Sequence, residues 1–175
     1  MIIWIMGLAG SGKSTLARAL AKHLNEDKVR SAIYIDGDDF RDIFGIYGYD
    51  RASRLKVSAE KIRLCVALSK QGYIVICSAI ALFDECYKFN RELTIKNSIK
   101  YIEVYLKCEL DELFRRDQKG LYSGAKNGDI CEVVGMDIKI DEPNPDIVLN
   151  STDFKALEGN IQKILDYIKD NNETR

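Results

Sequence analysis

The 175-residue chain lacks several features that would each point to a different kind of protein. It has no apolar run long enough to cross a bilayer, which excludes a membrane-spanning segment. It has no excess of either charge. Lys and Arg total 26 against 27 Asp and Glu, so the formal charge is -1 and no global positive field exists to gather a nucleic-acid polymer. The one histidine, His23, has no cysteine or second histidine near it in sequence, so no zinc site is indicated. The five cysteines (Cys65, Cys77, Cys86, Cys108 and Cys131) are odd in number and none lies in a CxxC pair. This usage, with no signal peptide ahead of it, predicts reduced thiols in a cytoplasm. Pro143 and Pro145, the only prolines, mark a loop before the last strand rather than a domain boundary.

The chain does have the balance of a globular domain, 46% apolar and 30% charged, and the length of one. Strand-like runs recur at Ile2–Met6, Ala32–Ile35, Tyr73–Ala79, Tyr101–Leu106 and Asp146–Leu149, with helical stretches between them. Leu16, Leu20 and Leu24 form one helical stripe, and Phe154, Leu157, Ile161, Ile164, Leu165 and Ile168 form another. The alternation predicts a single α/β domain over residues 1–175, a three-layer sandwich around a mainly parallel sheet. The polar, glycine-punctuated stretch Gln118–Asp129 is expected to be mobile, within a helical lid near residues 115–130.

The segment from Gly7 to Thr15, GLAGSGKST, satisfies GxxxxGK[ST], follows an apolar strand and precedes a helix. Gly7, Gly10, Ser11 and Gly12 let backbone N–H groups converge on phosphate oxygens at a helix N-terminus. Lys13 supplies a point charge to the β and γ phosphates, Ser14 a hydroxyl to Mg²⁺, and Thr15 a further phosphate contact. The pattern predicts binding of ATP with Mg²⁺. No Walker-B aspartate or guanine-reading NKxD is evident. Instead the second strand ends in Asp36-Gly37-Asp38, two carboxylates beside the phosphate loop, as a small-molecule kinase needs. Asp36 is assigned to the metal shell and Asp38 to the acceptor hydroxyl. Arg115, Arg116 and Lys119 precede a glycine-bearing loop and could close over the transferred group.

The ordered set of motifs resembles the adenylylsulfate kinase family, which transfers the γ-phosphate of ATP to a ribose 3'-hydroxyl. The resemblance runs to about Asn150. It rests on the phosphate loop, Asp36-Gly37-Asp38 with Arg41, the stretch from Arg116 to Tyr122, Gly128-Asp129-Ile130, and Gly135-Met136-Asp137 ahead of Glu142-Pro143. It implies acceptor contacts from Arg41, Tyr49, Arg54, Ile80, Lys119 and Leu121, a nucleotide contact from Arg116, and a possible homodimer. Guanidinium forks suit oxyanions held in a fixed orientation, and lysine adds charge without that constraint.

Departures from the family cluster at the acceptor. Val57 stands where the family has asparagine, Ala59-Glu60 where it has an arginine pair, Val133 at one of two adenine-stacking aromatic positions, Ala81 at a serine and Gly124 at a lid lysine. Such changes imply a changed acceptor. The expected substrate is a cytidine nucleotide, cytidine diphosphoramidate, as in the branch of the family that serves capsule phosphoramidate synthesis. Adenylyl sulfate is the alternative acceptor, and a regulatory ATP-binding module without an acceptor is the rival from another class.

Overall fold

The first strand, β1 (Ile2–Met6), dictates the layering. Ile2, Trp4 and Met6 enter one apolar cluster and Ile3 and Ile5 the other, and all five are fully buried. A strand buried on both faces requires a helical layer on each. In the computed structural model, which describes residues 1–26 and 31–171, β1 pairs in parallel with β3 (Ile74–Ala79) and with β4 (Tyr101–Lys107). β2 (Ala32–Ile35) and β5 (Ile147–Asn150) complete the sheet, in the order β2-β3-β1-β4-β5. The described residues thus contain five strands, all parallel, as expected. Asp146 lies just outside β5, where its carboxylate accepts the Glu103 amide at 2.7 Å.

Helices α1 (Lys13–Glu26) and α7 (Leu157–Asp170) cover the Ile3 and Ile5 face with Leu16, Leu20, Ile161, Ile164, Leu165 and Ile168. Each buried aliphatic side chain contributes about 1.5–3 kcal/mol. Leu24 and Leu157, expected in the same stripes, are only partly buried. The side chain of Phe154 lies outside the described residues. The opposite face is covered by α3 (Arg51–Lys70) and α4 (Asp84–Lys96) through Ile62, Cys65, Val66, Cys86 and Tyr87. Trp4, Cys65, Cys77 and Cys108 are buried, and His23 is exposed. No helix of the described residues is long and apolar enough to cross a membrane.

The stretch Gln118–Asp129 is mostly helical, in keeping with the helical lid expected near residues 115–130. α5 (Leu110–Arg116) is followed by a 3-10 turn at Gln118–Gly120 and by α6 (Leu121–Asn127). The Asp117 carboxylate accepts the Tyr122 and Ser123 amides at 2.8 and 3.1 Å, and Tyr122 is buried edge-on against Phe114. On α4 the side chains of Lys88 and Lys96 are exposed. Arg91 instead pairs with buried Glu103 of β4 and donates to the Asn144 carbonyl at 2.7 Å. Burying a carboxylate requires such a partner.

Candidate active site

The parallel register brings the C-terminal ends of β1, β2 and β3 to one edge of the sheet, the usual place for a ligand in this kind of architecture. A cavity of about 300 Å³ opens there. Its lining includes Gly10, Lys13, Ser14, Asp36, Asp38, Arg41, Tyr49, Arg54, Ile80, Lys119 and Leu121. The structure therefore gathers most of the residues singled out from the sequence. Gly7, Ser11 and Gly12 belong to the adjoining loop, Thr15 is exposed on the first turn of α1, and Arg116 braces the loop from α5.

Close packing explains the phosphate loop. A Cβ on Gly7 would sit 2.6 Å from the Leu106 carbonyl oxygen and 2.9 Å from Ser11 Oγ, so no larger residue fits. Gly10 and Gly12 take φ values of 75° and 89°, a region that glycine enters without penalty. Ser11 is fully buried and its hydroxyl has no protein partner. Lys13 Nζ donates to the Leu8 carbonyl oxygen at 2.6 Å. Burial, and then the neighbouring Lys61, lower the Lys13 amine to about 7, against the raising influence of Asp36 and Asp38.

Asp36 caps α2 (Gly37–Phe44), accepting the Asp38 amide at 3.0 Å. It also accepts from the Tyr34 hydroxyl at 2.7 Å and from Arg18 at 3.2 Å. Burial alone would raise its pKa, but the Asp38 amide, the Tyr34 and Ser14 hydroxyls and Arg18 outweigh it and hold the carboxyl below its ordinary value. An ionised carboxylate beside the Ser14 hydroxyl is a hard-oxygen donor set that fits Mg²⁺ shared with phosphates. The turn-and-cap role and the chemical role thus coincide in one residue. Asp38 differs, being exposed and paired with Lys119 across the cavity mouth at 3.2 Å.

On the far wall Arg41 donates to the Ile46 and Gly48 carbonyls at 3.0 and 2.6 Å, and its guanidinium stacks 4.5 Å from the centroid of Tyr49. Arg54 donates to the Tyr49 and Glu132 carbonyls at 2.6 and 2.7 Å. Burial and then the neighbouring Arg41 push Arg54 below its ordinary value. Tyr49 is the one aromatic side chain in the cavity lining among the described residues, and Val133 is buried outside it.

The lid cations divide by role. Arg115 is tied to Glu112 on the surface. Arg116 bonds to Glu112 and reaches the Gly10, Ser151 and Thr152 carbonyls at 3.1, 2.7 and 3.0 Å, so it binds lid to phosphate loop. Tyr122 does the same through its hydroxyl on the Ala9 carbonyl at 2.8 Å, which makes it a pin rather than a nucleotide contact. Lys119, at φ 61°, is the lid cation that reaches the cavity mouth. Sequence reasoning missed Ser58, Lys61, Tyr34 and Ser78. The first two share the inward face of α3 with Arg54 and Val57, at spacings of three, four and seven residues, where polar residues displace the apolar stripe.

A phosphate loop after β1, a carboxylate pair at the turn from β2 into α2 and a basic helical lid define a P-loop kinase. A model of the adenylylsulphate kinase family matches residues 1–150, and the chain belongs to that family. It is 43% identical to the cytidine diphosphoramidate kinase of Campylobacter jejuni, covering 94% of each chain. It is 36% identical to the adenylyl-sulfate kinase of Bacillus pumilus, over 97% of this chain and 85% of that one. Among solved structures, an APS kinase of Mycobacterium tuberculosis in complex with AMPPNP and APS superposes with a TM-score of 0.89 at 28% identity, covering 96% of each chain. The protein is an ATP-dependent phosphotransferase, which sets aside the reading as a regulatory module without an acceptor.

Proposed function

We propose that the protein phosphorylates the ribose 3'-hydroxyl of a cytidine nucleotide, cytidine diphosphoramidate, with ATP·Mg²⁺, in the cytoplasm and in the service of capsule phosphoramidate synthesis. The observation that carries the reading is the single aromatic wall of the cavity. Tyr49 stands without a facing ring, an arrangement suited to a smaller pyrimidine, and a relative 43% identical is a cytidine diphosphoramidate kinase.

In this reading the phosphate loop and Lys13 hold the triphosphate, while Ser14 and Asp36 would hold Mg²⁺, which would offset the phosphate charge. Arg41 and Arg54 grip the acceptor's anionic tail, with Tyr49, Ile80 and Leu121 packed along the nucleoside. Asp38 accepts the hydrogen bond of the 3'-hydroxyl and takes its proton as the oxygen attacks the γ-phosphorus in line with the departing ADP. Lys119 leaves its exposed bond to Asp38 for the entering anion, an exchange that costs little because the pair lies in solvent.

The test is a coupled ADP-release assay over equal concentrations of cytidine diphosphoramidate, cytidine diphosphate and adenylyl sulfate, with the position of the new phosphate read by NMR. The cytidine compound should be preferred and the product should carry a 3'-phosphate. Faster turnover of adenylyl sulfate would overturn the assignment of the base.

A further inference from the structure

Lys61 is the buried charge that the mechanism above does not use. It is 2% exposed on the inward face of α3, and among the described residues no carboxylate lies within ion-pair distance of it. Its amine donates to the Ser78 carbonyl at the end of β3, lies beside the Cys77 thiol and stands 5.5 Å from the centroid of the Trp4 ring. A lysine amine has three donors, so one carbonyl, a thiol that accepts only weakly and a ring face leave it incompletely satisfied. Burying an amine without a counter-charge costs several kcal/mol, and apolar residues of similar volume would serve the fold as well or better. Packing alone does not account for Lys61.

Its position does. A Cβ placed on Gly37 would sit 3.4 Å from Lys61 Nζ, so the amine lies directly beneath the turn that joins Asp36 to Asp38. Lys13 and Ser14 line the same cavity from the phosphate-loop side. Lys13 and Lys61 are thus two like charges held on either side of the ground between the metal-side acid and the acceptor-side acid. They repel each other, and a polyanion placed between them would relieve both.

We propose that Lys61 is a second phosphate-facing lysine, contacting the γ-phosphoryl group from the α3 side while it passes from ATP to the acceptor hydroxyl. The inference rests on the phosphoryl-transfer reading above but not on the identity of the acceptor. In the transfer the bond from the γ-phosphorus to the β–γ bridging oxygen breaks and the bond to the 3'-oxygen forms. Negative charge spreads over the three equatorial oxygens, and a fixed donor already aimed at them needs no reorganisation. A donor placed to meet the phosphoryl group in transit acts on kcat rather than on ground-state binding.

Lys61→Met keeps the length of the side chain and removes the charge, and Lys61→Gln is the second variant should the first fail to fold. In either, kcat should fall about 100-fold while KM for ATP and for the nucleotide acceptor stays within about threefold. A parallel measurement needs no acceptor. ADP·Mg²⁺ with aluminium fluoride, which places a planar anion where the phosphoryl group travels, should bind about tenfold more weakly to the variant than to the wild type. ADP alone should bind the two within about twofold. A kcat within about threefold of wild type, a loss confined to acceptor KM, or undiminished fluoride binding would each overturn the proposal. If the wild-type enzyme accepted none of the cytidine nucleotides, the fluoride comparison would still read Lys61, and only the acceptor assignment would fall.

Discussion

Replacing Asp38 by asparagine separates the chemistry of the site from its architecture. The amide keeps the size and shape of the carboxylate but cannot take a proton. The ion pair of Asp38 with Lys119, at 3.2 Å, joins side chains that are 70% and 76% exposed. A pair so placed contributes at most about 1 kcal/mol, so the melting temperature should move by no more than about 4 °C. Asp38 lies on α2 rather than in the phosphate loop, and ATP affinity should change by less than about twofold. What disappears is the group that receives the 3'-hydroxyl proton. Its loss should slow turnover by about 10²–10⁴, equivalent to about 2.7–5.5 kcal/mol of barrier. Coupled ADP release under saturating ATP and acceptor gives kcat directly, and calorimetric titration with ATP gives the affinity. If Asp38→Asn retained more than about a tenth of wild-type turnover, Asp38 would have no part in proton transfer.

Two further outcomes follow from charges whose environments are known. Lys13, lowered to about 7, must be protonated to meet a triphosphate. ATP affinity should therefore weaken as pH rises above that value, by up to about tenfold per unit between about pH 7.5 and about 9, with proton uptake on binding. Calorimetry in buffers of different ionisation enthalpy measures both, and a flat affinity without proton uptake would contradict the assigned environment. Far from the site, Arg91→Met leaves Glu103 buried without its partner. It should cost about 1–3 kcal/mol, less than for a fully buried pair because the Arg91 side chain is 43% exposed. Adding Glu103→Gln should restore most of the loss in thermal unfolding, and additive losses would show that the pair is not the cause.

The features legible in the sequence are those whose chemistry is local in the chain. The phosphate loop occupies nine consecutive residues, and Asp36-Gly37-Asp38 is a single turn, so neither needs tertiary contacts to be recognised. The lid was half legible. Its cations stood out, but which of them faces the cavity depends on where α5 packs. Glu112 takes Arg115 and three loop carbonyls take Arg116, leaving Lys119 for Asp38. The pairing of Arg91 and the surroundings of Lys61 were not legible because their partners belong to other elements. Arg91 is on α4 and Glu103 on β4, and Ser78 and Trp4 come from two strands that meet only in the folded sheet. Composition treats a buried lysine and a solvated one alike.

One register sets both the core and the cavity. Met6 stands opposite Ala79, so Gly7 and Ile80 emerge level with each other, and Ile35 stands opposite Cys77, so Asp36 emerges level with Ser78, two residues below them. A parallel strand that slipped by one residue would carry its whole set of side chains to the opposite face. Trp4 would turn from the α3 layer toward α1, and Lys61 would lose the ring beneath it. The same slip would shift Gly7 away from Leu106, whose carbonyl oxygen admits only glycine there. The alternation that buries β1 on two faces therefore also determines how far the phosphate loop stands from the paired acids. A substitution that loosens the packing of Trp4 should disturb turnover before it unfolds the chain, because the acids and the loop are positioned by the strand ends that the ring helps to hold in register.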